Sequence, residues 1–260
     1  MGLMSGKKCL VMGIANKRSI AWGIAQALHR EGAELAFTYQ NDRLKENVVE
    51  LVQTLDGHEN MPLIPCDVSS DESIEQCFAA LGEKWGKLDV LAHSLAYART
   101  EDIQNDFVNI PREGYRIAME ISAWSLIACA RHAKPLMEAA GGGSIMTLSY
   151  LAAERVVDKY NIMAPAKAAL ECNVRYLAAE LGEKNIRVNA ISAGPIKTLA
   201  ASAVKGVAKL RDIVEERSPL HRNVTIEEVG DVGLFLASGL SRCITGETIY
   251  ADNGFNIRGV

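Results

Sequence analysis

The chain has 260 residues, with 28 Lys plus Arg against 32 Asp plus Glu and a net charge of −4; 48% of it is apolar and 23% charged. This length suits one large α/β domain or two small ones and is ample for a full core, and the apolar fraction with the low charge argues against an intrinsically disordered chain. The acidic balance argues against a nucleic-acid binder, which carries a basic surplus.

The six cysteines (Cys9, Cys66, Cys77, Cys129, Cys172, Cys243) stand singly, with no CxxC pair and no histidine at ligand spacing beside one. That is the pattern of reduced thiols in a cytosolic protein, and it points to no metal site. Lys7 and Lys8 precede an apolar run of only 9–12, too short for a signal peptide, and no run approaches the roughly 20 residues of a membrane helix. The expectation is a cytoplasmic protein without membrane insertion.

In chain order, 7–13 reads as a buried strand and 20–31 as a helix with Ile20, Ile24, Ala27 and Leu28 on one face, stopped at Gly32. Residues 33–39 form a second strand, 42–55 a polar-faced helix and 62–66 a short third strand. Ser69 and Glu72 have capping-box spacing and open a helix to about Trp85. Residues 88–95 are a fourth strand; a long helix covers about 113–139 and ends at Gly141-Gly142-Gly143. Then come a fifth strand (144–149), an alanine-rich helix (161–181) and a sixth strand (186–192). Thr225 and Glu228 form a second capping box, opening a helix to about Ala237, and 247–252 is the last strand.

Seven uniformly apolar strands separated by helices predict a parallel sheet in one doubly wound α/β domain, 1–260. Two stretches, 96–112 and 194–217, fit neither period. Both follow the carboxyl end of a strand, where this architecture binds ligands, and long irregular connections there tend to be functional.

The first strand runs into a turn with one glycine rather than GxGxxG. Gly13 permits a tight turn, Ser19 is placed to cap the next helix, and free N–H groups near Ile20 suit a pyrophosphate. An ordinary βα turn can hold the same residues. Gln40 ends the second strand, where a dinucleotide's adenosine ribose sits. No acidic residue stands there, so NADH and NADPH are poorly distinguished. Arg43 and Lys45 suit either a 2′-phosphate or a solvated helix face. Asp67, followed by Val68, either receives an adenine amino group or simply leads a helix, and Leu95 would lie beneath the cofactor.

Tyr150 follows the fifth strand, and Tyr160 and Lys167 lie seven residues apart. On a continuous helix that spacing is about 20° short of two turns, so both side chains would share a face roughly 10 Å apart along the axis. A phenol beside an ammonium suits the polarisation of a substrate oxygen, although such pairs also arise from packing. Pro165 lies between them and is best tolerated in a first turn. The helix is therefore expected to begin near Pro165, with Tyr160 on a looser preceding turn.

The segments GIANKRSIAWG, FTYQND, CDVSSD, AHSLAYA, LSYLAAERVVDKYNIMAPAK, RVNAISAGPIKTLAAS and ITGETIYADNGF together closely resemble bacterial NADH-dependent enoyl-acyl-carrier-protein reductases. These are divergent members of the short-chain dehydrogenase/reductase superfamily, and the likeness spans nearly the whole chain. Its most specific element is Tyr-x6-Lys with LSY ten residues before the tyrosine. Most of the superfamily carries Tyr-x3-Lys, and that tyrosine position is Met163 here. The resemblance implies a Rossmann-type fold, a homotetramer, and reduction of enoyl thioesters on acyl carrier protein in fatty acid synthesis, with NADH as cofactor and NADPH left open. It implies that Tyr160 hydrogen-bonds the thioester carbonyl, that Lys167 holds the nicotinamide ribose, and that Tyr150 is a second active-site tyrosine. It further implies dinucleotide contacts from Gly13, Ser19, Ile20, Gln40, Asp67, Val68, Leu95, Ile196, Lys197, Thr198, Leu199 and Ala200, and a substrate contact from Ala98.

Residues 196–217 read either as an amphipathic helix packed on the domain or as a substrate-binding lid. Its lysines, with Arg211, face either an acidic carrier protein or solvent. Two alternatives remain: a ketoreductase, against which Met163 counts, and a non-catalytic dinucleotide sensor, against which Tyr160 and Lys167 count.

Overall fold

A computed structural model describes residues 2–198 and 207–258. Strands β1 (Lys8–Met12), β2 (Glu34–Tyr39), β3 (Leu63–Pro65), β4 (Val90–His93), β5 (Gly143–Ser149), β6 (Ile186–Ala193) and β7 (Thr248–Ala251) form one parallel sheet in the order β3-β2-β1-β4-β5-β6-β7. Helices α1 (Ile20–Arg30), α2 (Asp42–Val52) and α3 (Asp71–Trp85) connect the first four strands. Beyond β4 come α4 (Thr100–Gln104), α5 (Arg112–Met119), α6 (Ser125–Ala139), α7 (Met163–Leu181), α8 (Val207–Arg217) and α9 (Ile226–Ala237).

The strands alternate side chains between two apolar layers, as their two-residue period requires. From β1, Leu10 and Met12 join Leu91, Ile145 and Val188 in one layer with residues of α3, α6 and α7. Cys9 and Val11 join Val90, Ala92 and Met146 in the other, with residues of α1, α2 and α9. Helices α1 and α9 touch almost backbone to backbone. A Cβ on Gly230 would stand 2.4 Å from the Gly23 carbonyl oxygen, so only hydrogen fits at this crossing.

The order of strands reverses between β1 and β4, which pair with Met12 opposite His93. That reversal opens a crevice at the carboxyl ends of the strands. The chain leaves those ends at Gly13, Ser94 and Tyr150.

Several local expectations change. Ser70, not Ser69, caps α3, accepting from Ser73 N–H; the pair Ser69 and Glu72 forms no capping box. Thr225 and Glu228 do form one, with both reciprocal bonds present. The long helix expected over 113–139 is α5 and α6 joined by a π-helical turn, Glu120–Trp124. Residues 96–112 are less irregular than expected, since they hold α4 and a short 3-10 turn, Phe107–Asn109. No described helix is long and apolar enough to cross a membrane.

Candidate active site

The glycine turn is set by a carbonyl. Gly13 has φ +92°, and a Cβ there would lie 2.1 Å from the Ser94 carbonyl oxygen, with Leu95 next to it. The loop off β1 thus lies directly on the end of β4. Ser19 behaves differently from the expected cap. Its hydroxyl accepts from Ala15 N–H at 3.0 Å and Asn16 N–H at 3.1 Å, tying the loop rather than the helix. No side chain caps α1, and Trp22 N–H already donates to the Ser19 carbonyl, which leaves the N–H groups of Ile20 and Ala21 for an anion.

At the ends of β2 and β3 two predicted residues meet. The Gln40 amide donates to Asp67 Oδ2 at 3.3 Å, and Asp67 Oδ1 accepts from the Ser69 N–H and hydroxyl. Burial pushes the Asp67 carboxyl up, but these donors more than offset it and hold it below the usual carboxylate range. The result is an ionised acceptor at the crevice mouth. Val68 is buried in the core beside it.

Beyond β6, Ile196 is buried, Lys197 is exposed, and Thr198 N–H donates to the Ile196 carbonyl. Leu199 and Ala200 lie outside the described residues. Helix α8 occupies the second half of the segment expected as a lid.

At the opposite wall, the Tyr150 and Tyr160 rings lie 4.8 Å apart between centroids, tilted by 45°. Tyr160 is not on the helix. It sits in a turn between Lys159 and Asn161, whose φ angles are +62° and +38°. Helix α7 begins at Met163, with Pro165 in its first turn, where a missing N–H costs nothing. The two-turn helical geometry between Tyr160 and Lys167 is therefore replaced by the looser turn that Pro165 implies. Asn161 anchors this turn, donating to the carbonyls of Ile103 (2.8 Å) and Asn105. Met163 packs with Ile103, Ala118 and Ile162 in a small apolar cluster, against which Ala98 and Tyr160 both rest. The predicted substrate contact and the predicted tyrosine thus share one apolar surface.

The π-helical turn has a local task. Its Ser122, fully buried, accepts from Tyr97 N–H at 2.9 Å and donates to the Tyr97 carbonyl at 3.1 Å. That fixes the backbone immediately before Ala98. Widened turns of this kind often occur at functional sites.

Lys167 is buried, and its Nζ donates to the Leu148 carbonyl at 2.6 Å. Burial pushes its ammonium down to about 8, against a smaller upward pull from Glu171. Burial also raises Tyr150 to about 12 and Tyr160 further, so both phenols are proton-bearing donors at neutral pH. If the lysine acts as a cation, activity should fall as pH rises through about 8, because the charge is lost on the alkaline side. A pH profile of kcat/KM that is flat to pH 10 would exclude this role.

Two buried residues beside Lys167 escaped the sequence reading. His93 lies between Thr147 Oγ1 (3.1 Å) and Ser125 Oγ (2.9 Å). Burial first, and the Lys167 charge second, push it down to about 3, so it stays neutral. Glu171 receives the Ser149 hydroxyl. Each is a single polar residue in an apolar run; lone polarity inside a predicted strand or helix face was the available signal. Among the described residues no group of three His, Cys, Asp or Glu could hold a metal.

The chain matches known proteins over its whole length. The family model described as enoyl-(acyl carrier protein) reductase matches residues 13–256. The enoyl-acyl-carrier-protein reductase (NADH) FabI of Bacillus cereus is 50% identical over 100% of both chains. That of Escherichia coli is 49% identical, covering 99% of this chain and 97% of its own. A crystal structure of the Bacillus cereus reductase with NADP+ and indole naphthyridinone superposes with a TM-score of 0.97 at 50% identity, over 100% of both chains. The Anaplasma phagocytophilum reductase in complex with NAD gives 0.94 at 42% identity, covering 100% of this chain and 97% of its own. With matches spanning its full length, the chain belongs to the enoyl-acyl-carrier-protein reductase family.

Proposed function

We propose that this chain is the NADH-dependent enoyl-acyl-carrier-protein reductase of bacterial type II fatty acid synthesis, and that Tyr150, Tyr160 and Lys167 carry its chemistry. The observation that supports the site most directly is the pairing of Tyr160 with Tyr150 on the apolar surface shared with Ala98, next to the strand end that Lys167 holds.

The residues of the crevice fit a nicotinamide dinucleotide. The uncapped start of α1 suits its pyrophosphate, Asp67 its adenine amino group, Gln40 its adenosine ribose and Lys167 its nicotinamide ribose. Ile196, Lys197 and Thr198 would complete the contacts, with Leu199 and Ala200 lying outside the described residues. When bound, NADH supplies the hydride that the β-carbon of the trans-2-enoyl thioester receives. Negative charge then develops on the thioester oxygen. Tyr160 donates a hydrogen bond to that oxygen from a low-dielectric setting, where a preorganised donor is most effective. Lys167 adds positive charge, and protonation of the α-carbon completes the saturated product. Met163, at the tyrosine position of most superfamily members, offers no proton and sits in the apolar cluster, which disfavours ketone reduction.

The acyl chain would lie over Ala98, with residues 196–217 as its lid. The exposed Lys209 suits an acidic carrier protein. Tyr176 stands exposed on α7, and β7 ends the sheet; both surfaces suit packing between copies and support a homotetramer.

The test is nicotinamide absorbance with purified protein, a trans-2-enoyl thioester and either NADH or NADPH, with a β-ketoacyl thioester as control. Enoyl-dependent NADH oxidation is expected. Oxidation with the ketoacyl substrate alone would replace this reading with a ketoreductase, and cofactor binding without turnover would replace it with a sensor.

A further inference from the structure

Glu171 is only 6% exposed, yet it lies one helical turn beyond Lys167 on the same face of α7. A glutamate is almost never this buried unless it is paired. Its partner is the Ser149 hydroxyl, which donates to Oε1. Lys167, one turn earlier, donates to the carbonyl of Leu148. Helix α7 therefore grips two consecutive residues at the end of β5, and the next residue is Tyr150.

We propose that Glu171 is a positioning residue for the reduction, fixing the strand end that carries Tyr150 and holding Lys167 in its charged form. The proposal rests on the reading of Lys167 given above. Lys167 Nζ is committed to Leu148 and Glu171 Oε1 to Ser149, so the two charges act on each other through space.

The surroundings single out Glu171 for this task. Burial opposes charge on both groups. Around Lys167, His93 from β4 stays neutral and adds no charge of its own, while Glu171 supplies the pull towards the ammonium form. Around Glu171, Ser149 from β5, Arg175 and Lys167 favour the carboxylate, and Glu154 opposes it. Glu154 is itself bonded to Tyr250 of β7.

The charge and the clamp separate by mutation. Glu171→Gln keeps an acceptor oxygen for Ser149 but removes the charge. Its kcat/KM profile with NADH and a trans-2-enoyl thioester should show the alkaline limb displaced downward by ~1 pH unit. Ser149→Ala removes the clamp and one donor to the carboxylate, while Arg175 and Lys167 still favour its charged form; it should lower kcat and displace the limb less than Glu171→Gln does. A folded Glu171→Gln enzyme whose limb coincides with the wild type would overturn the proposal. If circular dichroism shows that the glutamine variant does not fold, Glu171→Asp carries the test. Its carboxylate is withdrawn by one methylene, so a smaller downward displacement is expected, and an unmoved limb would again overturn the idea. Failure of the underlying reading looks different: Lys167→Met would then retain full turnover, or the wild type would show no alkaline limb at all.

Discussion

Lys167→Met is expected to lower kcat/KM for enoyl-thioester reduction by at least ~100-fold, about 2.7 kcal/mol of lost transition-state stabilisation. It should weaken NADH binding in parallel. Methionine nearly matches the lysine stem in length and packs in the same buried slot, so the change isolates the ammonium. Two things disappear together. One is the positive charge near the oxygen on which negative charge develops. The other is the donor for the Leu148 carbonyl. The orphaned carbonyl costs ~1–3 kcal/mol of stability, which would appear as a lower melting temperature without loss of the fold. Steady-state kinetics at pH 7, NADH titration by fluorescence and thermal melting together separate these effects. A variant with wild-type kcat/KM would remove Lys167 from the mechanism.

Gly13→Ala is expected to be the most damaging single-methyl change in the cofactor crevice. Two penalties add at this position. The backbone is at φ +92°, where a side chain is strained by ~1–3 kcal/mol. The new Cβ would also stand 2.1 Å from the Ser94 carbonyl oxygen, which is backbone directly after the paired end of β4 and, unlike a side chain, cannot swing aside. A loss of about 3 kcal/mol or more follows, together with displacement of the loop that leads to α1. Gly6→Ala supplies the control. It has a comparable φ of +72° but nothing within 4 Å of the added methyl, so it should lose only the strain. Equal melting temperatures for the two variants would show that the close approach to Ser94 carries no weight.

The sheet was readable because parallel strands buried on both faces leave continuous apolar runs, as in residues 9–12 and 90–92. The capping box at Thr225 was readable because its two partners are three residues apart on the chain. The box assigned to Ser69 was off by one residue because three of the five residues 69–73 are serines, any of which has the chemistry of a cap. The π-helical turn left no trace in the pattern: widening one turn changes a hydrogen-bond partner, not a residue type. Pro165 did announce that Tyr160 stands outside the helix, but nothing local required positive φ at Lys159, a residue with no preference for it. His93 and Glu171 went unremarked because their meaning lies in partners 54 and 22 residues away. Ser19 was assigned the right loop and the wrong bond, since a hydroxyl at a helix start can accept from either side of itself.

The glycine crossing of α1 and α9 bears on how the chain is made. The surface of α1 that receives α9 is emptied of side chains at Gly23, so no earlier helix can fill it as closely. Its partner, Gly230 on α9, follows about 200 residues later in the chain. Until α9 has been made, α1 therefore has one face waiting, and that face closes when α9 arrives to cover it.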